Sequence, residues 1–202
     1  ISGADFAEIL YNAAEISIMK TAEIKNGNIT LKSFGNENIL SEYFNIYSAE
    51  GVVNGNKYTG LFAAKSEAGD NEITIGTERY ILDNITAIDM IGHSVEIYYR
   101  EENDISTILY IEKTDSEKSI NARDIISLTS EEIRYTDGEK DITKKFPTNT
   151  QCLANGKLAE FVCPANGSVT LIDNNDDGDY EVVKISSLST FTVGYTGADR
   201  IM

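Results

Sequence analysis

Turn dipeptides recur along this chain of 202 residues and constrain its fold more than any other feature. They are asparagine–glycine or aspartate–glycine pairs between short apolar and β-branched runs, and such pairs tolerate positive φ. They stand at residues 26–27, 54–55, 137–138, 155–156, 166–167 and 177–178. Six of them in one chain predict a protein built from hairpins of antiparallel strands.

The runs between these turns have the period of strands that bury one face. Val95 and Ile97, for example, alternate with Glu96. The predicted strands cover residues 29–33, 47–54, 57–63, 72–75, 78–82, 94–99, 106–112, 132–136, 141–144, 150–154, 157–161, 168–172, 180–185 and 190–195. Residues 122–128 fit a short helix or a strand equally well.

The first segment has helical spacing instead. Phe6, Ile9, Leu10 and Ala13 fall on one face of a helix, and Ser2 is placed to cap its N-terminus. The fold class is therefore predicted as mainly β, with a short N-terminal helix followed by two small antiparallel β-barrel or sandwich-like units.

The polar run at residues 113–119 is the best candidate for a boundary, because it divides the β part into similar halves. We therefore expect a helical segment at residues 1–20, a first β unit at 21–115 and a second at 116–202. The chain begins almost inside a helix and ends without an obvious terminator. For this reason we expect it to be part of a longer protein.

The charge of the chain limits its partners. It has 33 acidic and 17 basic residues, which gives a net charge of −16. Such a surface repels the phosphates of nucleic acids and anionic membranes, so neither is an expected partner. The sequence has no apolar run long enough to span a bilayer, so no membrane insertion is expected. The acidity suits a cation-rich exterior, or serves solubility alone.

An acidic stretch between two apolar runs is the strongest local motif. Asp173, Asn175 and Asp177 offer side-chain oxygens at alternate positions. Asp179 offers its backbone carbonyl, and Glu181 offers a closing carboxylate. Because Ca²⁺ takes about six to eight oxygen ligands, these five residues are the predicted ligands of a Ca²⁺ site.

The motif departs from the helix–loop–helix calcium hand in two respects. Its twelfth position is Lys184, where that motif has a bidentate acid, and its flanks are predicted strands. The alternative interpretation is a solvated turn held by side-chain bonds of its Asp and Asn residues.

No catalytic residue is predicted. His93 is the single histidine, and no G-x-S-x-G motif accompanies it. Cys152 and Cys163 can bridge neighbouring strands as a disulfide, or serve as small buried hydrophobic residues. Among the eleven tyrosines, Tyr98 and Tyr99 are adjacent, so one is expected to be buried and the other exposed. Exposed tyrosines can stack on sugars, but ordinary β-sheet packing is the preferred interpretation of these residues.

Two stretches resemble a known family of surface proteins. Residues 4–13 (ADFAEILYNA) resemble the closing helix of an S-layer homology domain. Residues 167–181 (GSVTLIDNNDDGDYE) are similar to a phrase of the β-rich region that follows such domains in surface proteins of clostridia and their relatives. Residues 51–54 and 91–98 are similar to looser phrases of that region.

The resemblance implies a secreted, wall-attached protein of a Gram-positive cell. S-layer homology domains grip cell-wall polysaccharide, and their helices are usually entered through a Thr-Arg pair. Here Ser2 and Gly3 stand at those positions, so this chain is not expected to anchor by itself. In the acidic phrase, Asn175, Asp176 and Glu181 replace the usual Asp, Gly and Asp, and oxygen ligands are retained.

The expected function is a non-catalytic extracellular module, either a structural spacer or an adhesion or interaction domain of a wall-attached or S-layer protein. Its expected partners are cell-wall polysaccharide or other surface proteins, engaged through the full-length protein. One alternative is a carbohydrate-binding module. The other is a glycan hydrolase, which needs two carboxylates roughly 5–10 Å apart in a cleft.

Overall fold

A computed structural model describes residues 3–25, 28–33, 37–62, 68–83 and 88–188. Within them the protein is mainly β, as predicted, with one short helix at the N-terminus. The strands are β1 Met19–Lys25, β2 Asn28–Ser33, β3 Ile46–Gly55, β4 Glu72–Ile75, β5 Glu78–Leu82, β6 Ser94–Glu102, β7 Ile105–Lys113, β8 Ser116–Asn121, β9 Ile125–Leu128, β10 Glu132–Asp137, β11 Lys140–Lys145, β12 Gln151–Ala154, β13 Lys157–Leu158, β14 Gly167–Asp173 and β15 Val182–Ser187.

The helices are α1 Gly3–Glu15 and α2 Ile39–Phe44, with 3₁₀ turns at Ile88–Met90 and Ala122–Asp124. The predicted N-terminal helix is confirmed as α1, although its predicted cap, Ser2, lies outside the described residues. Helix α2 was not predicted, because its start depends on a reciprocal cap. The Asn38 side chain accepts from the Ser41 backbone N–H at 2.9 Å, and the Ser41 hydroxyl accepts from the Asn38 N–H at 3.0 Å.

Most strand predictions are confirmed, and the exceptions have local causes. Residues 57–62 do not form the predicted strand; they turn back so that Gly60 makes an isolated bridge to Gly55. The strand predicted at 157–161 stops at Leu158. The ambiguous stretch 122–128 is a 3₁₀ turn followed by β9. The turn predicted at 26–27 and the strand at 190–195 lie outside the described residues.

Five strands pair in a barrel-like ring, in the order β3-β4-β5-β7-β6. Two of its seams are only two residue pairs wide, namely β3 with β4 and β5 with β7. The β5–β7 pairing is parallel, which differs from the antiparallel prediction. Hairpin signals relate consecutive strands, so they carry no information about this pairing. The interior of the ring is filled by buried apolar side chains such as Val53, Ile73 and Ile97.

The second half forms a five-stranded sheet in the order β13-β12-β15-β14-β8, and its β12–β15 pairing is also parallel. A three-stranded sheet, β11-β10-β9, packs on it. Strands β14 and β15 of the five-stranded sheet have buried residues on both faces. Ile172 and Val182 join the core of the barrel-like ring, whereas Leu171 and Val183 join Ile133 in a second core.

The junction between the ring and the five-stranded sheet is tight. Gly92 has φ +88°, and a Cβ added to it would lie 2.9 Å from Cγ1 of Val182. The apolar core thus crosses the boundary predicted near residue 115, while the division into units at 21–115 and 116–202 stays a prediction. In the described part of the chain, neither helix is long and apolar enough to cross a membrane.

Candidate metal-binding loop

The acidic motif forms the loop between β14 and β15, and we call residues 173–181 the acidic loop. Its first residue, Asp173, ends β14 with its side chain buried, and its last, Glu181, directly precedes β15. Because β14 and β15 pair in register from Ile172↔Val182 onward, the two ends of the loop are held side by side.

Asp173 organises the loop. Its Oδ1 accepts from the backbone N–H groups of Asn175 at 3.3 Å and Asp177 at 3.2 Å, and its Oδ2 accepts from Gly178 N–H at 2.8 Å. Asp176 and Gly178 both have positive φ, 57° and 93°, which lets the chain wrap around this carboxylate. These bonds are the side-chain bonds of the solvated-turn interpretation.

The same wrapping brings three carboxylates together. One oxygen each from Asp173, Asp177 and Glu181 lies within 4.8 Å of the others. Glu181 is held there because its Oε2 accepts from the Asn174 N–H at 2.9 Å. A carboxylate has about four lone-pair sites, so the backbone bonds leave acceptor capacity on each residue. This group can hold a metal ion, and an all-oxygen set suits a hard cation.

The other two predicted ligands are both hydrogen-bonded to Asp177, and their side-chain and carbonyl oxygens stay predicted ligands. The Asn175 amide Nδ2 donates to Asp177 Oδ2 at 3.0 Å, so Asn175 contacts a member of the group and orients it. Asp179 is exposed, and its backbone N–H donates to Asp177 Oδ1 at 2.9 Å. Of the five predicted residues, the structure therefore brings Asp173, Asp177 and Glu181 into one group.

Lys184, which stands where a calcium hand has its closing acid, points away from the loop. Its Nζ donates to the Asp89 carbonyl at 2.5 Å, in the 3₁₀ turn that precedes β6. Burial lowers the pKa of Lys184, and the ammonium of Lys113 lowers it further. This lysine therefore joins β15 to the barrel-like ring and does not neutralise the loop.

The acidic loop is bonded to β6 of the barrel-like ring and to β8 of the five-stranded sheet. The Ser94 hydroxyl donates to the Asn174 carbonyl at 2.8 Å, which connects the loop to the first residue of β6. The Ser116 hydroxyl donates to the Asp176 carboxylate, which connects it to β8. A cation bound in the loop would therefore act on the junction of the two halves.

A second polar group lies at this junction, and sequence reasoning did not find it. His93 is 2% exposed, and its Nδ1 lies 3.2 Å from both carboxylate oxygens of Asp115, whose side chain is fully buried. Asp115 also accepts from the Ser94 N–H at 2.7 Å. His93 Nε2 lies 3.8 Å from a carboxylate oxygen of Glu117. Burial and the charge of Lys184 lower the pKa of His93, and the contact with Asp115 offsets this only in part.

The two cysteines are free thiols in the structure, so the disulfide that their spacing allows is not formed. Cys152 is buried in the second core, which matches the alternative interpretation, and burial raises its pKa to about 11. Its Sγ donates to the Glu160 carbonyl at 3.6 Å. Cys163 is exposed.

Tyr98 and Tyr99 lie on opposite faces of β6, as predicted, but both are half-buried. Tyr99 points inward and its ring centroid lies 5.0 Å from that of Tyr80. Tyr98 points outward, where its ring lies between those of Tyr11 and Tyr110. Tyr98 therefore faces outward, but the prediction that one of the two tyrosines is exposed is wrong.

Comparison of the chain with protein-family models, with curated proteins and with solved structures found no match. The resemblance to S-layer homology proteins therefore stays a prediction, supported by the residues quoted for it.

Proposed function

We propose that this chain is a non-catalytic extracellular module of a wall-attached bacterial surface protein, in which it acts as a spacer or adhesion domain. Its partners are cell-wall polysaccharide or other surface proteins, reached through the full-length protein. The mainly β architecture, the net charge of −16 and the acidic loop support this assignment. The convergence of Asp173, Asp177 and Glu181 is the observation that carries it.

In this proposal the acidic loop binds Ca²⁺. The group offers only oxygen, and its geometry comes from an irregular loop, which Ca²⁺ tolerates better than Mg²⁺ does. Asp177 is exposed and Glu181 is half-buried, so bound Ca²⁺ would keep several waters. Such a site binds on the order of millimolar, and extracellular modules have dissociation constants of roughly 0.1–1 mM.

Thermal denaturation tests the Ca²⁺ site. A cation that binds only the folded state stabilises it by about 1.4 kcal/mol at ten times its dissociation constant. For a chain of this size, that stabilisation raises the Tm by roughly 3–6 °C relative to EDTA. The Asp177→Asn variant is expected to lose the shift, because it removes one exposed carboxylate of the group and keeps its size.

The matched control is Glu139→Gln, which neutralises an exposed acid in the β10–β11 turn. This variant is expected to keep the full Ca²⁺ shift. Equal shifts in the wild type and in Asp177→Asn would show that Ca²⁺ acts through general screening of the acidic surface. That result, or no shift at several times the expected dissociation constant, would exclude the proposed site.

The extracellular assignment has its own test. Antibodies against this chain are expected to label intact cells of the source bacterium, and brief protease treatment of those cells is expected to remove the label. A cytoplasmic marker protein must survive the same treatment. Labelling only after lysis would contradict the assignment without affecting the Ca²⁺ test.

A further inference from the structure

The outer face of the barrel-like ring carries a row of three glutamates on adjacent strands. Glu50 on β3 is in register with Glu96 on β6, and Glu96 is in register with Glu112 on β7. Like charges directly opposite each other on paired strands are destabilising. The basic residues of β6 and β7 do not relieve this row, because Arg100 pairs with Glu102 and Lys113 with Glu117.

A row of tyrosines lies beside the glutamates. Tyr98 and Tyr110 face each other two residue pairs further along the β6–β7 ladder, on the same face as Glu96 and Glu112, and the Tyr11 ring of α1 contacts Tyr98. The ring centroids are 6.3 Å apart for Tyr11 and Tyr98, and 6.4 Å apart for Tyr98 and Tyr110. The interplanar angles of 72° and 54° show that the rings are not stacked in parallel.

These residues line a groove of about 500 Å³, which we call the tyrosine groove. Tyr11, Tyr98, Tyr110, Leu109, Glu96 and Glu112 carry its chemistry. Its volume is in the range of small-molecule sites, roughly 300–1,000 Å³. None of the described residues that line it is basic.

The tyrosine hydroxyls orient the carboxylates. The Tyr98 hydroxyl donates to Glu15 at 2.8 Å and its oxygen lies 3.3 Å from a carboxylate oxygen of Glu96, and the Tyr110 hydroxyl donates to Glu112 at 2.7 Å. The bond to Glu112 raises the pKa of Tyr110, and burial raises that of Tyr98, so both hydroxyls remain donors at neutral pH. These contacts use part of the acceptor capacity of the carboxylates.

We propose that the tyrosine groove binds a small organic cation that carries a methylated ammonium group. Its charge complements the glutamate row, and its methyl groups suit aromatic faces, which attract cations within about 6 Å of the ring centroid. A strongly hydrated metal ion or a primary ammonium would lose more hydration in a groove lined mainly by aromatic and aliphatic carbon. A neutral sugar would leave the repulsion between the glutamates in place.

A contrast within the same molecule supports this choice. On the exposed Tyr58, the chain supplies its own cations, because Lys57 Nζ lies 5.6 Å and Lys157 Nζ 5.8 Å from the ring centroid. Buried Tyr135 likewise has Lys118 Nζ at 5.0 Å. The described lining of the tyrosine groove places carboxylates beside its rings instead, which favours a cation supplied by a ligand. This proposal does not depend on the acidic loop or on the cellular location of the chain.

Calorimetric titration of the full chain with choline tests the proposal. Choline is expected to bind saturably and at least about tenfold more tightly than its neutral analogue 3,3-dimethyl-1-butanol, since only choline is charged. The double variant Glu96→Gln/Glu112→Gln is expected to weaken choline binding about tenfold or more. Tyr110→Leu is expected to weaken it roughly three- to tenfold.

Two further measurements separate binding from a loss of fold. Tyr58→Leu, which removes an exposed ring that already has cations, is expected to leave choline affinity unchanged. Glu96→Gln alone is expected to raise the Tm without ligand, because it removes a like-charge contact. The proposal fails if choline does not bind saturably at about 10 mM, or if the neutral analogue binds equally well. It also fails if N-acetylglucosamine binds in the same groove more tightly than choline, which would favour a carbohydrate-binding module.

Discussion

The central strands of the five-stranded sheet and the strands of the β6–β7 hairpin differ in how many of their faces are buried. In β14 and β15, Leu171 and Ile172, and Val182 and Val183, are all fully buried although neighbours along a strand face opposite sides. In β6, Val95 and Ile97 are fully buried, whereas the intervening Glu96 and Tyr98 face outward. A strand in a middle layer must be apolar on both faces, whereas a strand in a ring wall needs only one apolar face and can use the other for recognition.

The largest expected effect is on the middle layer. Ile172→Ala removes a fully buried side chain from the core that the ring shares with the sheet, and is expected to cost about 2–5 kcal/mol of unfolding free energy. Urea denaturation followed by tyrosine fluorescence and by circular dichroism measures this loss. Since the shared core joins both halves, we expect the two probes to shift together.

Leu109→Ala is the matched control. The Leu109 side chain has the same size as that of Ile172, but it lies on the outer face of the ring and is 43% exposed. It is expected to cost less than about 1 kcal/mol. If the two variants cost the same, the contrast between the middle layer and the ring wall is wrong. If Ile172→Ala unfolds in two separate transitions, the halves unfold separately and the boundary near residue 115 divides true domains.

An intermediate effect is expected at the polar group of the junction. Asp115→Asn keeps the shape of the side chain but removes the charge that accepts from Ser94 and contacts His93. Hydrogen bonds to charged groups contribute about 1.5–3 kcal/mol, so a loss of that size is expected in urea denaturation. Asp104→Asn, at an exposed residue of the β6–β7 turn, is the control, and a similar loss in both variants would contradict a specific role for Asp115.

A smaller effect is expected from pH. The folded pKa of His93 lies below its usual 6.5, because burial and Lys184 outweigh the contact with Asp115. As the pH falls, the unfolded chain therefore takes up a proton at His93 before the folded protein does. The stability that a neutral His93 contributes is present above about pH 6.5 and is lost below it. Unfolding free energies measured between pH 7.5 and about 5.5 are expected to fall in the wild type and to fall less in His93→Gln. A rise in stability toward acid pH would reverse the sign and show that Asp115 dominates.

The smallest effect concerns the thiols and leaves stability unchanged. Cys163 is exposed, whereas the Cys152 thiol is buried and its pKa is raised to about 11. One thiol per chain is therefore expected to react with Ellman's reagent under native conditions, and two in urea. Cys163→Ser is expected to abolish the native reaction. Reaction of neither thiol in urea without reductant would show that the disulfide does form.

Local order was largely predictable, and long-range pairing was not. The turn at Asn155-Gly156 has φ of 48° and 78°, as a tight hairpin requires, and the pair is recognisable in the sequence. The β6–β7 turn uses Asn103 and Asp104, with φ of 52° and 62°, and lacks the glycine that would have identified it. The parallel pairings join strands that are distant in sequence, and no local pattern encodes which strands meet.

The acidic loop could likewise be predicted from local sequence, whereas the polar group at the junction could not. Alternating oxygens identified Asp173, Asp177 and Glu181, because the loop closes within nine residues. The contact between His93 and Asp115 spans two elements, and each residue alone resembles an ordinary turn or linker residue. The glutamate row also needed the strand register, because Glu50, Glu96 and Glu112 come together only when three strands are aligned.

The close approach at Gly92 has a consequence for engineered or natural chimaeras of this chain. Its positive φ and the 2.9 Å separation from Val182 leave no room for a larger residue unless β15 changes as well. A chimaera that takes one half of the chain from another protein therefore has to replace Gly92 and Val182 together. Recombination breakpoints between residues 92 and 182 are expected to yield folded proteins only when a compensating small residue replaces Val182 or when Gly92 is retained.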